Sequence, residues 1–156
     1  MLHINNKSKI KIMETYLYSI KKNQSEFPRQ KISSSKDAEQ FIRQFYGDDL
    51  QVYESFFLLL LNRANETVGY AKISQGGIAG TIVDVKIIAK YVVDTLSQAV
   101  VLAHNHPSGN IRPSQADENI TTRIKATLNL FDCKVLDHII LTADNYFSFQ
   151  DNDKII

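Results

Sequence analysis

Ala99-Val100-Val101-Leu102-Ala103-His104-Asn105-His106-Pro107-Ser108-Gly109-Asn110-Ile111-Arg112-Pro113-Ser114-Gln115-Ala116-Asp117 passes from an apolar run through a polar loop into the start of a helix. The apolar run is of strand type. Pro107 cannot donate to a sheet ladder and stops the strand. Residues i and i+2 of a strand point to the same side, so His104 and His106 project together from its end. Ser114 opens the helical segment and brings Asp117 into its first turn. Two imidazoles and a carboxylate make three ligands for one divalent metal, and three protein ligands with an open fourth position is how catalytic zinc is usually held.

His-x-His-Pro, with seven residues between His106 and Ser114, and then Ser-x-x-Asp resembles the metal-binding signature of the JAMM (MPN+) proteins. That family adds a glutamate on an upstream strand, and Glu54 in Tyr53-Glu54-Ser55-Phe56-Phe57-Leu58-Leu59-Leu60-Leu61-Asn62 stands at the matching place. Four further stretches resemble the bacterial RadC-like branch: Leu60–Asn65, Ser74–Thr81, His104–Asn110 and Leu136–Ile140. Together they extend the likeness over roughly residues 30–150.

The resemblance implies a three-layer α/β/α sandwich around a mixed sheet, the cytidine-deaminase-like JAMM/MPN architecture. It implies Zn²⁺ held by His104, His106 and Asp117, with Glu54 as general base and Ser114 as oxyanion donor. The implied reaction is hydrolysis of an amide or isopeptide bond in an unidentified protein or peptide. RadC-like proteins are traditionally tied to DNA repair, so the alternative is a non-catalytic or DNA-associated metal-binding module. Glu54 and Ser114 argue for chemistry, since a structural metal site needs neither and is usually closed by a fourth ligand. A metal-dependent nuclease normally uses oxygen-rich ligands and Mg²⁺, whereas two imidazoles favour zinc.

Each residue also has a plainer reading. Ser114 with Asp117 is a capping box, a common device at helix starts. A histidine pair alone is ordinary in loops and cores, and Glu54 alone is a strand-edge carboxylate. Independent structural causes rarely produce all five at these spacings, which favours the metal. His138 beside Asp137 in an apolar strand reads first as a hydrogen-bonded structural histidine, with support of the metal site as the alternative. Cys133 reads as a small buried side chain.

The 156-residue chain carries 44% hydrophobic residues, enough for one domain with a core. No apolar run approaches the roughly 20 residues that span a bilayer. Met1–Lys7 lacks the apolar core of a secretory signal, and a single cysteine makes an intrachain disulfide impossible; the expectation is a cytoplasmic protein. Net charge is +1, unevenly spread: residues 1–36 hold eight Lys or Arg against two Glu, and the rest holds ten basic against fifteen acidic side chains. Residues 1–33 read as a basic arm, mostly a solvated terminus, with at most a weak salt-sensitive contact to DNA. Residues 34–156 read as the RadC-like domain.

Along the chain, Ile10–Ile20 alternates as a strand would, and Ser34 starts a helix bearing Ala38, Phe41, Ile42 and Phe45 at helical spacing. Glu54–Asn62 and Thr67–Ser74 read as a hairpin around Arg63–Glu66. Gly76, Gly77 and Gly80 mark a loop. Asp84 caps a helix to about Leu96 with Val85, Ile88, Ala89, Val92 and Leu96 as its apolar stripe. Then follow a buried strand over Gln98–Ala103, a helix from Ser114 to about Phe131, and strands over Lys134–Thr142 and Tyr146–Gln150.

Overall fold

Five strands and three α-helices alternate in the computed structural model, which describes residues 23, 25–76 and 82–155. The strand read at Ile10–Ile20 and most of the glycine loop after Gly76 lie outside the described residues. The elements are α1 (Ser35–Arg43), β1 (Ser55–Leu61), β2 (Thr67–Gln75), α2 (Val85–Thr95), β3 (Ala99–Asn105), α3 (Gln115–Asn129), β4 (Lys134–Leu141) and β5 (Tyr146–Ser148). The sheet runs β2-β1-β3-β4-β5. Its β3–β4 pair is parallel, as a crossover through α3 requires, and every other neighbouring pair is antiparallel.

Every residue of β1 and β3 is buried, because both lie inside the sheet with a layer on each face. Their side chains divide by alternation. Phe57, Leu59, Leu61, Val101 and Ala103 join Phe41 and Ile42 of α1 in one core. Phe56, Leu58, Leu60, Val100 and Leu102 join Ile88 and Val92 of α2 and Ile124 and Leu128 of α3 in the other. Burying a leucine such as Leu58 or Leu102 completely contributes about 1.5–3 kcal/mol each. The architecture is therefore helix, sheet, helix. Since Val100 and Leu102 face α3, His104, the next residue of that parity, faces α3 as well.

Local chemistry sets the boundaries. Ser34 caps α1 and Asp84 caps α2, each accepting a backbone N–H. Asn65 closes the β1–β2 hairpin with φ 57°, a left-handed conformation that asparagine tolerates. An unforeseen 3-10 turn, Asp48–Gln51, precedes β1. Glu54 lies just outside β1, not within it as read from the sequence. Leu96 also departs from expectation: it is 79% exposed, not part of the apolar stripe. Its φ of 53° ends α2 in a left-handed cap, so its side chain leaves the helical face before reaching the core. Among the described residues no helix is long and apolar enough to cross a membrane.

Candidate metal centre

His104 is the penultimate residue of β3 and His106 follows the strand's last residue, with the His106 N–H donating to Leu141 O at the end of β4 (2.8 Å). Gly109 turns the loop back with φ 82°, a region most side chains avoid. The loop carries Asn110 O to 2.5 Å from His106 Nδ1. A carbonyl only accepts, so Nδ1 holds a proton and Nε2 is the nitrogen turned inward. At the start of α3, Ser114 Oγ accepts from Asp117 N (3.2 Å), while Asp117 Oδ2 accepts from Ser114 N (2.7 Å). This is the capping box expected from the spacing, and it fixes the Asp117 side chain.

The three side chains converge. His104 Nε2 and His106 Nε2 are 2.9 Å apart, Asp117 Oδ1 is 3.2 Å from His104 Nε2, and Asp117 Oδ2 is 3.7 Å from His106 Nε2. They form the sole cluster of three potential metal-ligating His, Cys, Asp or Glu side chains among the described residues. Two ligands of one tetrahedral zinc, each about 2.0–2.1 Å from it, stand about 3.3 Å apart. The observed separations bracket that value, and the donor set is one zinc accepts, so the residues fit the ion.

Electrostatics agree. Burial pushes the Asp117 carboxyl up, but hydrogen bonds from His104 and His106, the charge of His104 and a further bond from Ser114 outweigh it and hold the group well below the usual carboxylate range. The hydrogen bond to Asp117 raises the pKa of His106 against the opposing effect of its burial; the Asn110 carbonyl and the charges of Asp117 and Glu54 add to the rise. Burial, with the charge of His104, pushes His138 well below the ordinary histidine value.

Glu54 borders the centre on two sides. It lines a cleft of about 700 Å³ with His106, Ser108, Asn110, Arg112 and Ser114. It also lines a recess of about 140 Å³ with Phe56, His104, Asp117 and Ile120. Sequence reasoning assigned no role to the residue that places it there, Asn105. This side chain is fully buried, accepts from Ser55 N (2.8 Å), and donates to Leu50 O (2.6 Å) and Tyr53 O (2.8 Å). It staples the segment carrying Glu54 to the strand carrying His104. A polar residue between two candidate ligand histidines at the end of an otherwise apolar strand was the available signal.

Ser114 serves Asp117 first: its hydroxyl donates to Asp117 Oδ2 (2.7 Å), so donating to another oxygen means giving up that bond. His138 is fully buried, and its Nε2 lies 2.7 Å from His104 Nδ1. On its other side, Nδ1 lies 2.6 Å from Thr121 Oγ1, another residue that sequence reasoning passed over. Asp137 Oδ1 accepts from His138 N (2.7 Å), and the carboxylate ties β4 to β5 and the turn after it through Ser148 Oγ (2.6 Å) and Gln150 N (2.9 Å).

The RadC-like JAB domain family model matches residues 32–154. A UPF0758 protein of Flavobacterium johnsoniae is 45% identical over 121 residues, 78% of this chain and 52% of the relative. Its counterpart from Porphyromonas gingivalis is 38% identical over 124 residues, 79% of this chain and 54% of the relative. One from Vibrio cholerae is 44% identical over 98 residues, 63% of this chain and 62% of the relative. The chain thus spans about half the length of the first two relatives.

Proposed function

Because this chain belongs to the RadC-like JAB domain family, we propose that it is a zinc-dependent hydrolase of amide or isopeptide bonds, acting on a protein or peptide in the cytoplasm within a DNA-repair-associated role. One observation carries the reading: the convergence of His104 Nε2, His106 Nε2 and an ionised Asp117 beside a cleft bordered by Glu54 and Ser114. A structural centre is ordinarily closed by a fourth protein ligand, whereas these three border open space.

His104, His106 and Asp117 would hold the ion. When bound, zinc supplies an activated water, lowering its pKa from about 16 to about 7. Glu54 accepts that water's proton during attack on the carbonyl carbon and returns it to the leaving nitrogen. The Ser114 hydroxyl turns from Asp117 toward the oxyanion and donates to it. Asn105 keeps Glu54 at the rim, and the 700 Å³ cleft accepts the chain on either side of the scissile bond.

Two consequences concern single groups. Ser114→Ala removes both the cap and the oxyanion donor. It is expected to cost about 0.5–2 kcal/mol of stability and about 10²–10³ in kcat. Thermal unfolding and steady-state kinetics separate the two effects. A kcat unchanged beside a lowered Tm would confine Ser114 to capping.

Zinc affinity depends on pH in a fixed direction. Because the pKa of His106 is raised, this ring retains its Nε2 proton to a higher pH than an ordinary histidine, and a proton there excludes the metal. Apparent affinity should therefore decline on acidification, beginning above the ordinary histidine value of about 6.5. Competition titrations with a chromophoric chelator between about pH 8 and pH 6 measure it. Constant affinity across that window contradicts His106 ligation.

The reading itself is tested by a cleavage screen with peptide and isopeptide libraries, comparing zinc-loaded protein with chelated protein. Cleavage that appears only with zinc is expected. Full zinc loading without cleavage of either bond type would turn the reading toward a metal-stabilised module.

A further inference from the structure

We propose that His138 and Thr121 are positioning residues that set the tautomer of His104 and thereby present its Nε2 lone pair to a divalent cation. The inference rests on the metal reading above and adds the means by which the chain prepares one ligand before any ion arrives.

The direction of each hydrogen bond follows from a fixed end. Thr121 Oγ1 lies 2.5 Å from Asp117 O, one helical turn earlier on α3. A carbonyl cannot donate, so the hydroxyl commits its single proton there. The Thr121 oxygen must then accept from His138 Nδ1, 2.6 Å away. His138 is fully buried, its ring packs on Phe149 and Phe56, and among the described residues no carboxylate hydrogen-bonds either ring nitrogen. A charged imidazole would be uncompensated there, so the ring is neutral and Nε2 carries a lone pair. That lone pair accepts from His104 Nδ1–H at 2.7 Å. His104, protonated on Nδ1, keeps the lone pair on Nε2, the atom that faces His106 and Asp117.

The chain closes on itself through three elements. Asp117 offers its carboxylate to the ion and, through its main-chain carbonyl, orients the series that prepares His104. A misplaced proton on His104 Nε2 would have to leave before a metal could bind. Ligating histidines typically depend on such a partner at the other nitrogen, and its removal typically costs 10–100-fold in metal affinity or activity.

Thr121→Val keeps shape and removes the hydroxyl; Thr121→Ser restores it. Zinc affinity of the full chain, read by chelator competition, should fall about 10–100-fold in Thr121→Val and stay within about threefold of wild type in Thr121→Ser. Long-range ¹H–¹⁵N spectra of histidine-labelled, metal-free protein at about pH 8, above the usual histidine range, should show His104 protonated on Nδ1 in the wild type. In Thr121→Val and in His138→Gln the Nε2-protonated form should appear. A purely structural Thr121 would lower Tm without changing the tautomer, and that result overturns the proposal. So does a metal-free wild type with His104 protonated on Nε2. Wild-type protein that binds no zinc defeats the metal reading, whereas zinc binding untouched by Thr121→Val defeats only the positioning role.

Discussion

Glu54→Gln should lower turnover by about 10²–10⁴-fold, the usual contribution of a positioned general base, while zinc content and Tm remain at wild-type values. The amide is nearly isosteric with the carboxylate but cannot accept the water's proton. Glu54 is not among the three converging ligands, so the ion should stay. The main-chain bond from Gly76 N to Glu54 O (2.9 Å) and the Asn105 contacts on either side do not involve the Glu54 carboxylate, so the fold should stay as well. Metal analysis, thermal unfolding and kinetics on one preparation decide the matter. Zinc-dependent cleavage at full rate in Glu54→Gln would remove Glu54 from the mechanism and leave the metal centre standing.

The double variant His104→Ala/His106→Ala should lose zinc altogether and every zinc-dependent turnover with it. The metal-free fold should also weaken. Without His104, the buried Nε2 of His138 has no partner, and a buried polar atom left unsatisfied costs about 1–3 kcal/mol. Asp117 loses the two imidazoles that offset its burial. Elemental analysis after gel filtration, beside chemical denaturation of metal-free protein, measures both effects. Zinc retained at wild-type stoichiometry would place the ion elsewhere in the chain.

Much of this candidate centre was legible in the sequence because its three converging side chains obey local rules. His104 and His106 share a side through the two-residue period of a strand, and Asp117 is fixed by a capping box whose ends lie three positions apart. The alternating cores on β1 and β3 follow from the same period. What escaped depends on distant partners. Glu54 was read as a strand residue, yet it stands one residue outside β1, where Asn105 grips the preceding segment from 50 to 55 positions away. Helical periodicity alone carried Leu96 into the core, but a left-handed φ had already ended the helix. His138 was read first as a hydrogen-bonded structural histidine. The bond is there, but its partner is the ring of His104, one of the three converging side chains, a contact set by the pairing of β3 with β4 and invisible to spacing. Thr121 was passed over because its contacts need both Asp117 O and His138 in view.

X-ray absorption at the zinc edge, recorded on wild-type protein loaded with one equivalent of zinc, tests the open metal centre most directly. The account expects four nitrogen or oxygen neighbours at about 2.0–2.1 Å, two of them showing the outer-shell scattering of imidazole, with one light neighbour exchangeable for an added anion. A spectrum with one imidazole or none, or with four protein ligands that no added anion displaces, would contradict it.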